Sequence, residues 1–339
     1  MIIVLKPGVS KTQENAVIKE IRKRGYRPHI MRGVARTVIG AIGDELTHSS
    51  LETLGVTFPL VVESVMPIQK RYKLVSREAH PQNSTVKVRE NLIGGRKFHV
   101  MAGPCSVESE DQLLRTAEAV RAAGATVLRG GAFKPRTSPY EFQGLGEKGL
   151  KLLAKARKQT GLAIITELLS ENHAEMVAEY TDIIQIGARN SQNFQLLIAA
   201  ARTGKPILLK RGLSMKIEEW LLAGEYVLAN ENPNLMFCER GIRTFETYTR
   251  NTLDLSAVPI IKQESHSPIV VDPSQGAGRA DLVRAMCKGA VAMGCDALLI
   301  EVHPNPAEAW SDGAQQLTLA GFAELMKDLR PLILASGRE

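Results

Sequence analysis

Eight apolar, β-favouring runs, each followed by a stretch with apolar residues at helical spacing, predict a (β/α)8 barrel of the α/β class. A β-α-β-β-α-β pattern ahead of them predicts a small ferredoxin-like α+β domain. The length of 339 residues suits that pairing, because a barrel takes roughly 250 residues and leaves room for one small module.

The first module spans residues 1–67. MIIVLKP reads as a short strand, and Ser10 can cap a helix in which Val17, Ile18 and Ile21 share a face before Gly25 stops it. PHIMRG and TVIGAIGD follow as strands, LTHSSLETL as a short helix and LVVESVMP as the last strand. Residues 68–85, polar and basic with a proline, read as a linker. The barrel domain, 86–339, opens with a hairpin whose turn is expected near Gly94-Gly95.

The barrel strands are HVMAGP, TVLRGG, AIITEL, DIIQIG, PILLKR, LMFCER, IVVDPS and ALLIEVH. Continuously apolar strands suit a parallel sheet covered on both faces. Helical patterns such as EDQLLRTAEAVRAAG and ADLVRAMCKGAVAMG fill the intervals and end in Gly. An open doubly wound sheet is the rival, but no G-x-G-x-x-G follows a first strand.

Composition narrows the function. Apolar residues at 44% and charged residues at 23% are globular proportions. No run of ~18 apolar residues could cross a bilayer, and the N-terminus lacks the three regions of a secretion signal. The net charge of +7 is dispersed and accompanied by only 5% aromatic residues, which argues against nucleic acid as a partner. Cys105, Cys238, Cys287 and Cys295 form no C-x-x-C pair, so a disulfide framework or zinc ribbon is not expected. The expected setting is the reducing cytoplasm.

Barrel active sites are built at the C-terminal ends of the strands. Those ends carry Cys105, Arg129 with Lys134 and Arg136, Glu167, Gln185 with Arg189, Lys210-Arg211, Glu239-Arg240, Asp272, and Glu301 with His303. A single strand-end Arg is ordinarily a solvated or salt-bridged surface residue. Six or more cations at one mouth require anions, and guanidinium forks match phosphate and carboxylate. The expected partners are therefore small phosphorylated substrates. Taken alone, Cys105 reads as a packed thiol, Glu301 and Asp312 as surface carboxylates, and Cys238, Cys287 and Cys295 as core. His266 is expected at the bottom of the barrel, away from the chemistry.

AGPCSVES, LRGGAFKPRTSPYEFQGLGEKGL, DIIQIGARN, PILLKRG, CERGIRTFE, VDPS and EVHPNP with SDG together resemble the 3-deoxy-D-arabino-heptulosonate 7-phosphate (DAHP) synthases, across about the whole chain. The subgroup is the one with an N-terminal ferredoxin-like module. The resemblance implies a metal-dependent transferase that condenses phosphoenolpyruvate with erythrose 4-phosphate in the first step of the shikimate pathway. It implies Arg129, Lys134, Arg189, Lys210 and Arg240 as the phosphoenolpyruvate site, and Arg136 and Thr137 as the aldose phosphate site. The sister octulosonate 8-phosphate synthases carry Lys-Ala-Asn-Arg-Thr-Ser there, so Pro135 favours the four-carbon sugar. Lys134 is the implied proton donor and Glu167 the implied carboxylate that manages water.

Cys105, Glu301 and Asp312 match three of the family's four metal ligands, for Mn, Mg, Zn, Fe or Co. The fourth is a histidine in Asp-Pro-Ser-His, and here the residue is Gln275. An amide oxygen is a weaker ligand than imidazole for the softer divalent metals. Three readings follow: a synthase with a weak or harder metal held partly by Gln275; a relative using another aldose phosphate, or with His303 supplying the nitrogen; or a catalytically silent sensor. The resemblance also implies an aromatic amino acid effector and a homo-oligomer, commonly a tetramer.

Overall fold

The structure is a computed structural model describing residues 1–32, 36–43, 50–66 and 71–339. It divides into two compact units, Met1–Arg71 and Tyr72–Glu339.

The first unit has strands β1 (Ile2–Leu5), β2 (Arg27–Arg32), β3 (Thr37–Ile42) and β4 (Val62–Met66), with helices at Lys11–Lys23 and Leu54–Thr57. The sheet is antiparallel in the order β2-β3-β1-β4, the ferredoxin-like arrangement expected from the element order. Ser10 accepts from the Gln13 backbone N–H while the Gln13 side chain accepts from that of Ser10, a capping box. Ile3, Leu5, Ile39 and Ala41 turn to the side where Val17, Ile18 and Ile21 pack. The second helix begins at Leu54, later than LTHSSLETL suggests, and Leu46–Ser49 of that stretch lie outside the described residues.

In the second unit β5 (Val86–Val88) and β6 (Asn91–Ile93) form a hairpin, followed by β7 (His99–Gly103), β8 (Val127–Arg129), β9 (Ala163–Glu167) and β10 (Ile183–Ile186). β11 (Ile207–Lys210), β12 (Leu235–Glu239), β13 (Ile269–Val271) and β14 (Ala297–Glu301) complete the series. All eight expected barrel strands are present, parallel throughout, and β14 pairs with β7 to close the barrel. Alternate residues point in and out. Met101, Val127, Ile165, Leu208, Met236 and Leu299 fill the interior, while Val100, Leu128, Ile164, Leu209 and Phe237 meet the helices.

The hairpin turns at Arg89-Glu90, with Val88 opposite Asn91, and not at Gly94-Gly95 as expected. Arg89 takes the positive φ of 52° that the tight turn needs. Gly94 serves a different end: a Cβ there would come within 2.8 Å of the Pro268 ring, so glycine permits the close approach to the start of β13. Val86, Val88 and Ile93 join the interior cluster, and the hairpin therefore plugs the barrel at its N-terminal end. His266, expected at this end, bonds to Ser84 Oγ and the Leu74 carbonyl there.

The polar stretch from Tyr72, expected within the linker, packs on the barrel instead. Tyr72 and Val75 are buried, and Glu225 explains why. Its carboxylate accepts the backbone N–H groups of Lys73, Leu74 and Val75 at 3.0, 2.8 and 2.9 Å. Composition conceals this because the anchor lies on a distant helix. Glu225→Ala should cost on the order of 2 kcal/mol and accelerate hydrogen exchange at the amides of Lys73–Val75. Unchanged exchange there would show that other contacts hold the segment.

Candidate active site

The C-terminal end of the barrel opens into a cavity of about 420 Å³, within the usual size of a small-molecule site. Eight Arg or Lys side chains line it against three carboxylates, Glu141, Glu167 and Asp312. Arg129 ends β8, Lys210 ends β11, Arg240 follows β12, and Lys134, Arg136 and Arg189 come from loops after β8 and β10.

The deepest cations are anchored in pairs. Arg129 Nη1 donates to Glu301 Oε1 at 2.7 Å and to the Pro104 carbonyl at 2.9 Å, and Lys210 Nζ donates to Asp272 Oδ2 at 2.6 Å. Burial disfavours the Arg129 charge, but Glu301, Cys105 and Asp272 together outweigh that and raise its pKa. Arg240 is less compensated: burial lowers its pKa, against the pull of Asp272. Arg129 Nε and Arg240 Nη1 are buried donors that find no acceptor among the described residues. Such groups are costly unless an anionic ligand meets them.

Beneath the cations, Cys105, Glu301 and Asp312 bring one thiol and two carboxylates together, with ligand atoms within 4.8 Å of one another. Two features of the chain make this possible. Glu301 stands opposite Gly103 where β14 closes on β7, and a Cβ on Gly103 would sit 2.1 Å from the Arg129 carbonyl oxygen, so only glycine allows the approach. Asp312 adopts the left-handed conformation, φ 49°, that Asp tolerates better than most residues.

Cys105 Sγ donates to Asp312 Oδ2 at 3.3 Å and receives Lys134 Nζ at 3.0 Å. Burial, and then the Glu301 charge, push its pKa up to about 12. Burial alone would lower the Lys134 pKa, but the Cys105 sulfur and Glu301 raise it on balance, so the amine stays an ammonium. Burial likewise opposes ionisation of Asp312, yet Arg250 and Lys134 hold its carboxyl well below the ordinary range. The donor set fits three ligands of a divalent cation. Gln275 adjoins it: Arg240 Nη2 donates to Gln275 Oε1 at 3.0 Å, and Gln275 Nε2 donates to Glu301 Oε1 at 3.0 Å.

Most of the sequence-derived residues converge. Arg129, Lys134, Arg136, Thr137, Glu167, Arg189, Lys210, Arg240, Gln275 and Asp312 line one cavity, and Cys105 and Glu301 lie bonded directly behind it. Arg211 and Glu239 do not belong to the rim. They pair at 3.0 Å on the outer side of the strands, where Asp254 joins them, because the alternation that turns Lys210 inward turns Arg211 outward. His303 cannot serve as the missing nitrogen ligand in this arrangement. Its Nδ1 accepts the Asn305 N–H, so the ring proton is on Nε2 and goes to Glu108. Arg243, Arg250 and Asn251 line the cavity without having been singled out from sequence. Their signal was the run of arginines at 240, 243 and 250.

Comparison with known proteins agrees with this geometry. The profile of the DAHP synthetase I family matches residues 79–335, and that of the DAHP synthase ferredoxin-like domain matches residues 1–70. The chain belongs to the DAHP synthetase I family.

Within that family and its relatives, the chain is 50% identical over 339 residues to a phospho-2-dehydro-3-deoxyheptonate aldolase of Thermotoga maritima, covering 99% of each. A crystal structure of the Thermotoga maritima aldolase superposes with a TM-score of 0.92 at 48% identity, covering 100% of this chain and 98% of that one. A 2-dehydro-3-deoxyphosphooctonate aldolase of Caulobacter vibrioides is 34% identical over 255 residues, 69% of this chain and 87% of its own.

One glycine in this member of the DAHP synthetase I family reports on Glu167. Gln185 Nε2 donates to Glu167 Oε2 at 3.3 Å, and the other carboxylate oxygen lies 1.9 Å from where a Cβ on Gly187 would be. Gly187→Ala must therefore displace the carboxylate from the cavity wall. If the Glu167 carboxylate takes part in the chemistry, turnover should fall on the order of 10²-fold, the cost of misplacing a reacting group by about 1 Å. Normal turnover in a folded Gly187→Ala enzyme would take Glu167 out of the chemistry.

Proposed function

We propose that this chain condenses phosphoenolpyruvate with erythrose 4-phosphate and water, giving DAHP and inorganic phosphate at the start of aromatic amino acid biosynthesis. The observation that carries the reading is the cationic mouth, with its unpartnered guanidinium donors, set directly over a thiol and two carboxylates. A pair of phosphorylated substrates would supply the anions that this arrangement lacks.

In this reading Arg129, Lys134, Arg189, Lys210 and Arg240 hold the carboxylate and phosphate of phosphoenolpyruvate, and Arg136 and Thr137 hold the sugar phosphate. Arg136 is held by Glu141 at 3.0 Å, which orients the loop that carries it. Carbon three of the enol attacks the aldehyde carbon to form the new C–C bond. Lys134, kept as an ammonium, gives a proton to the aldehyde oxygen. Water adds to carbon two with Glu167 accepting one proton, and the bond from carbon two to the phosphate oxygen then breaks as the new hydroxyl gives its remaining proton to the departing phosphate, leaving the ketone. Cys105, Glu301 and Asp312 would hold a divalent metal, which supplies Lewis-acid stabilisation of the charge that develops on the aldehyde oxygen. The retention of these three ligands with the full set of cations favours an active enzyme over a silent sensor.

The heptonate relative matches 99% of the chain and the octonate relative 69% of it, in keeping with the four-carbon sugar that Pro135 favours. Metal-stripped protein with phosphoenolpyruvate should release phosphate only when both erythrose 4-phosphate and a divalent metal are added. Release with arabinose 5-phosphate in its place would move the assignment to the eight-carbon product. Absence of release with every metal and both sugars, in folded protein, would defeat the catalytic reading.

The reading extends to residues 1–67 as a regulatory and oligomerisation module in a cytoplasmic tetramer answering an aromatic amino acid. The matching ferredoxin-like domain profile supports it, and among the described residues no helix is long and apolar enough to cross a membrane. Phe or Tyr should inhibit the full chain, and deletion of 1–67 should abolish that response. An unchanged response in the truncated enzyme would locate the effector site elsewhere.

A further inference from the structure

The Gln275 side chain lies between two groups of opposite demand. Arg240 can only donate and carboxylates can only accept, so the neighbours dictate which end of the amide faces which. The oxygen faces Arg240, and the nitrogen faces Glu301 at 3.0 Å and Asp312 at 3.4 Å. Turned by half a turn, the amide would set N–H against a guanidinium and a carbonyl oxygen against two carboxylates. The main chain gives little freedom to evade this. The Gln275 N–H donates to Asp272 Oδ1, its carbonyl accepts from Asn251 Nδ2, and a Cβ on the next residue, Gly276, would already meet Leu253 at 2.8 Å.

In this orientation the nitrogen that faces the carboxylates has no lone pair to offer a cation. We propose that Gln275 is a displaceable stand-in for the metal and not one of its ligands. Its N–H group bridges Glu301 and Asp312 in the metal-free protein and competes with a divalent cation for the same oxygens. The inference rests on the reading of Cys105, Glu301 and Asp312 as metal ligands. It adds that the amide ties this cluster to Arg240, so the residue that takes the place of an imidazole also positions a phosphoenolpyruvate cation.

The two roles of Gln275 predict opposite signs for one substitution. Leucine has nearly the same size and neither donates nor accepts. If Gln275 competes, Gln275→Leu should bind Mn2+ about ten- to a hundredfold more tightly than the parent, the scale of one hydrogen bond to a charged group. If Gln275 is a ligand, the same variant should bind about tenfold or more weakly. Mn2+ titration of metal-stripped, full-length protein, read by the free-ion EPR signal, measures this without turnover.

A second readout is thermal. Metal-free Gln275→Leu should melt below the parent, because Glu301 and Asp312 lose their shared donor, and saturating Mn2+ should raise its midpoint by more than it raises the parent's. Unchanged or weaker Mn2+ binding by Gln275→Leu would overturn the proposal. Gln275→Ala, which removes the amide with less bulk, takes its place if the leucine chain does not fold. Cys105→Ser separates the two levels: if it leaves Mn2+ binding unaltered, the three-ligand reading itself fails, whatever the position-275 variants do.

Discussion

Positive charge concentrated at the C-terminal end of a closed barrel is the constraint on which the site depends. Lys210, Arg129 and Arg211 are all nearly inaccessible, and desolvation of each is expensive unless a carboxylate stands within hydrogen-bond reach. Neighbouring or facing strands supply one in every case: Asp272 after β13, Glu301 at the end of β14, Glu239 at the end of β12. Removing one partner of such a pair would leave a buried unpaired charge, typically about 3–5 kcal/mol. The register of the parallel strands is therefore as much a part of the cationic cavity as the arginines are. Slipping one strand by a residue would turn its charge to the helix side, where Arg211 already shows the result.

The same constraint explains what was legible beforehand. Strand positions were readable because parallel barrel strands are apolar on both faces, and the charges at their ends were readable because they interrupt that pattern. Inside and outside were not. Lys210 and Arg211 are adjacent in sequence, and only the closed sheet decides that one lines the cavity while the other packs beside Trp220. The segment from Tyr72 reads as linker for a related reason. Polarity marks segments that have no core of their own, but Glu225 binds three of this segment's backbone amides from a helix about 150 positions away. Sequence points to the glycines for the hairpin turn, whereas Arg89 accepts the positive φ and Gly94 is reserved for contact with Pro268.

The cluster of one thiol and two carboxylates was legible as chemistry and not as connectivity. Cys105, Glu301 and Asp312 could be named from motifs, yet their shared dependence on Lys134, Arg250 and two glutamines could not. Glu301 accepts from Arg129, Gln275 and Gln315, and Asp312 from Cys105, Gln275 and Arg250. These carboxylates are already neutralised by the protein, so a cation entering among them exchanges hydrogen bonds and does not simply fill a negative hole. Its affinity is set by the difference between two well-satisfied states.

That difference gives position 275 its weight. Imidazole brings a lone pair to a metal and can leave the carboxylates to be bridged by the ion; a primary amide brings two N–H donors and an oxygen, and its surroundings here spend the donors on the acids and the oxygen on Arg240. The substitution thus shifts the balance toward the metal-free arrangement from both sides, weakening the bound state and strengthening the free one. Because Arg240 is one of the least compensated cations in the cavity, any ligand anion that engages its unpartnered Nη1 also bears on the amide. Metal and phosphorylated substrate would then meet through one side chain, and linkage requires that each alter the affinity of the other by the same factor.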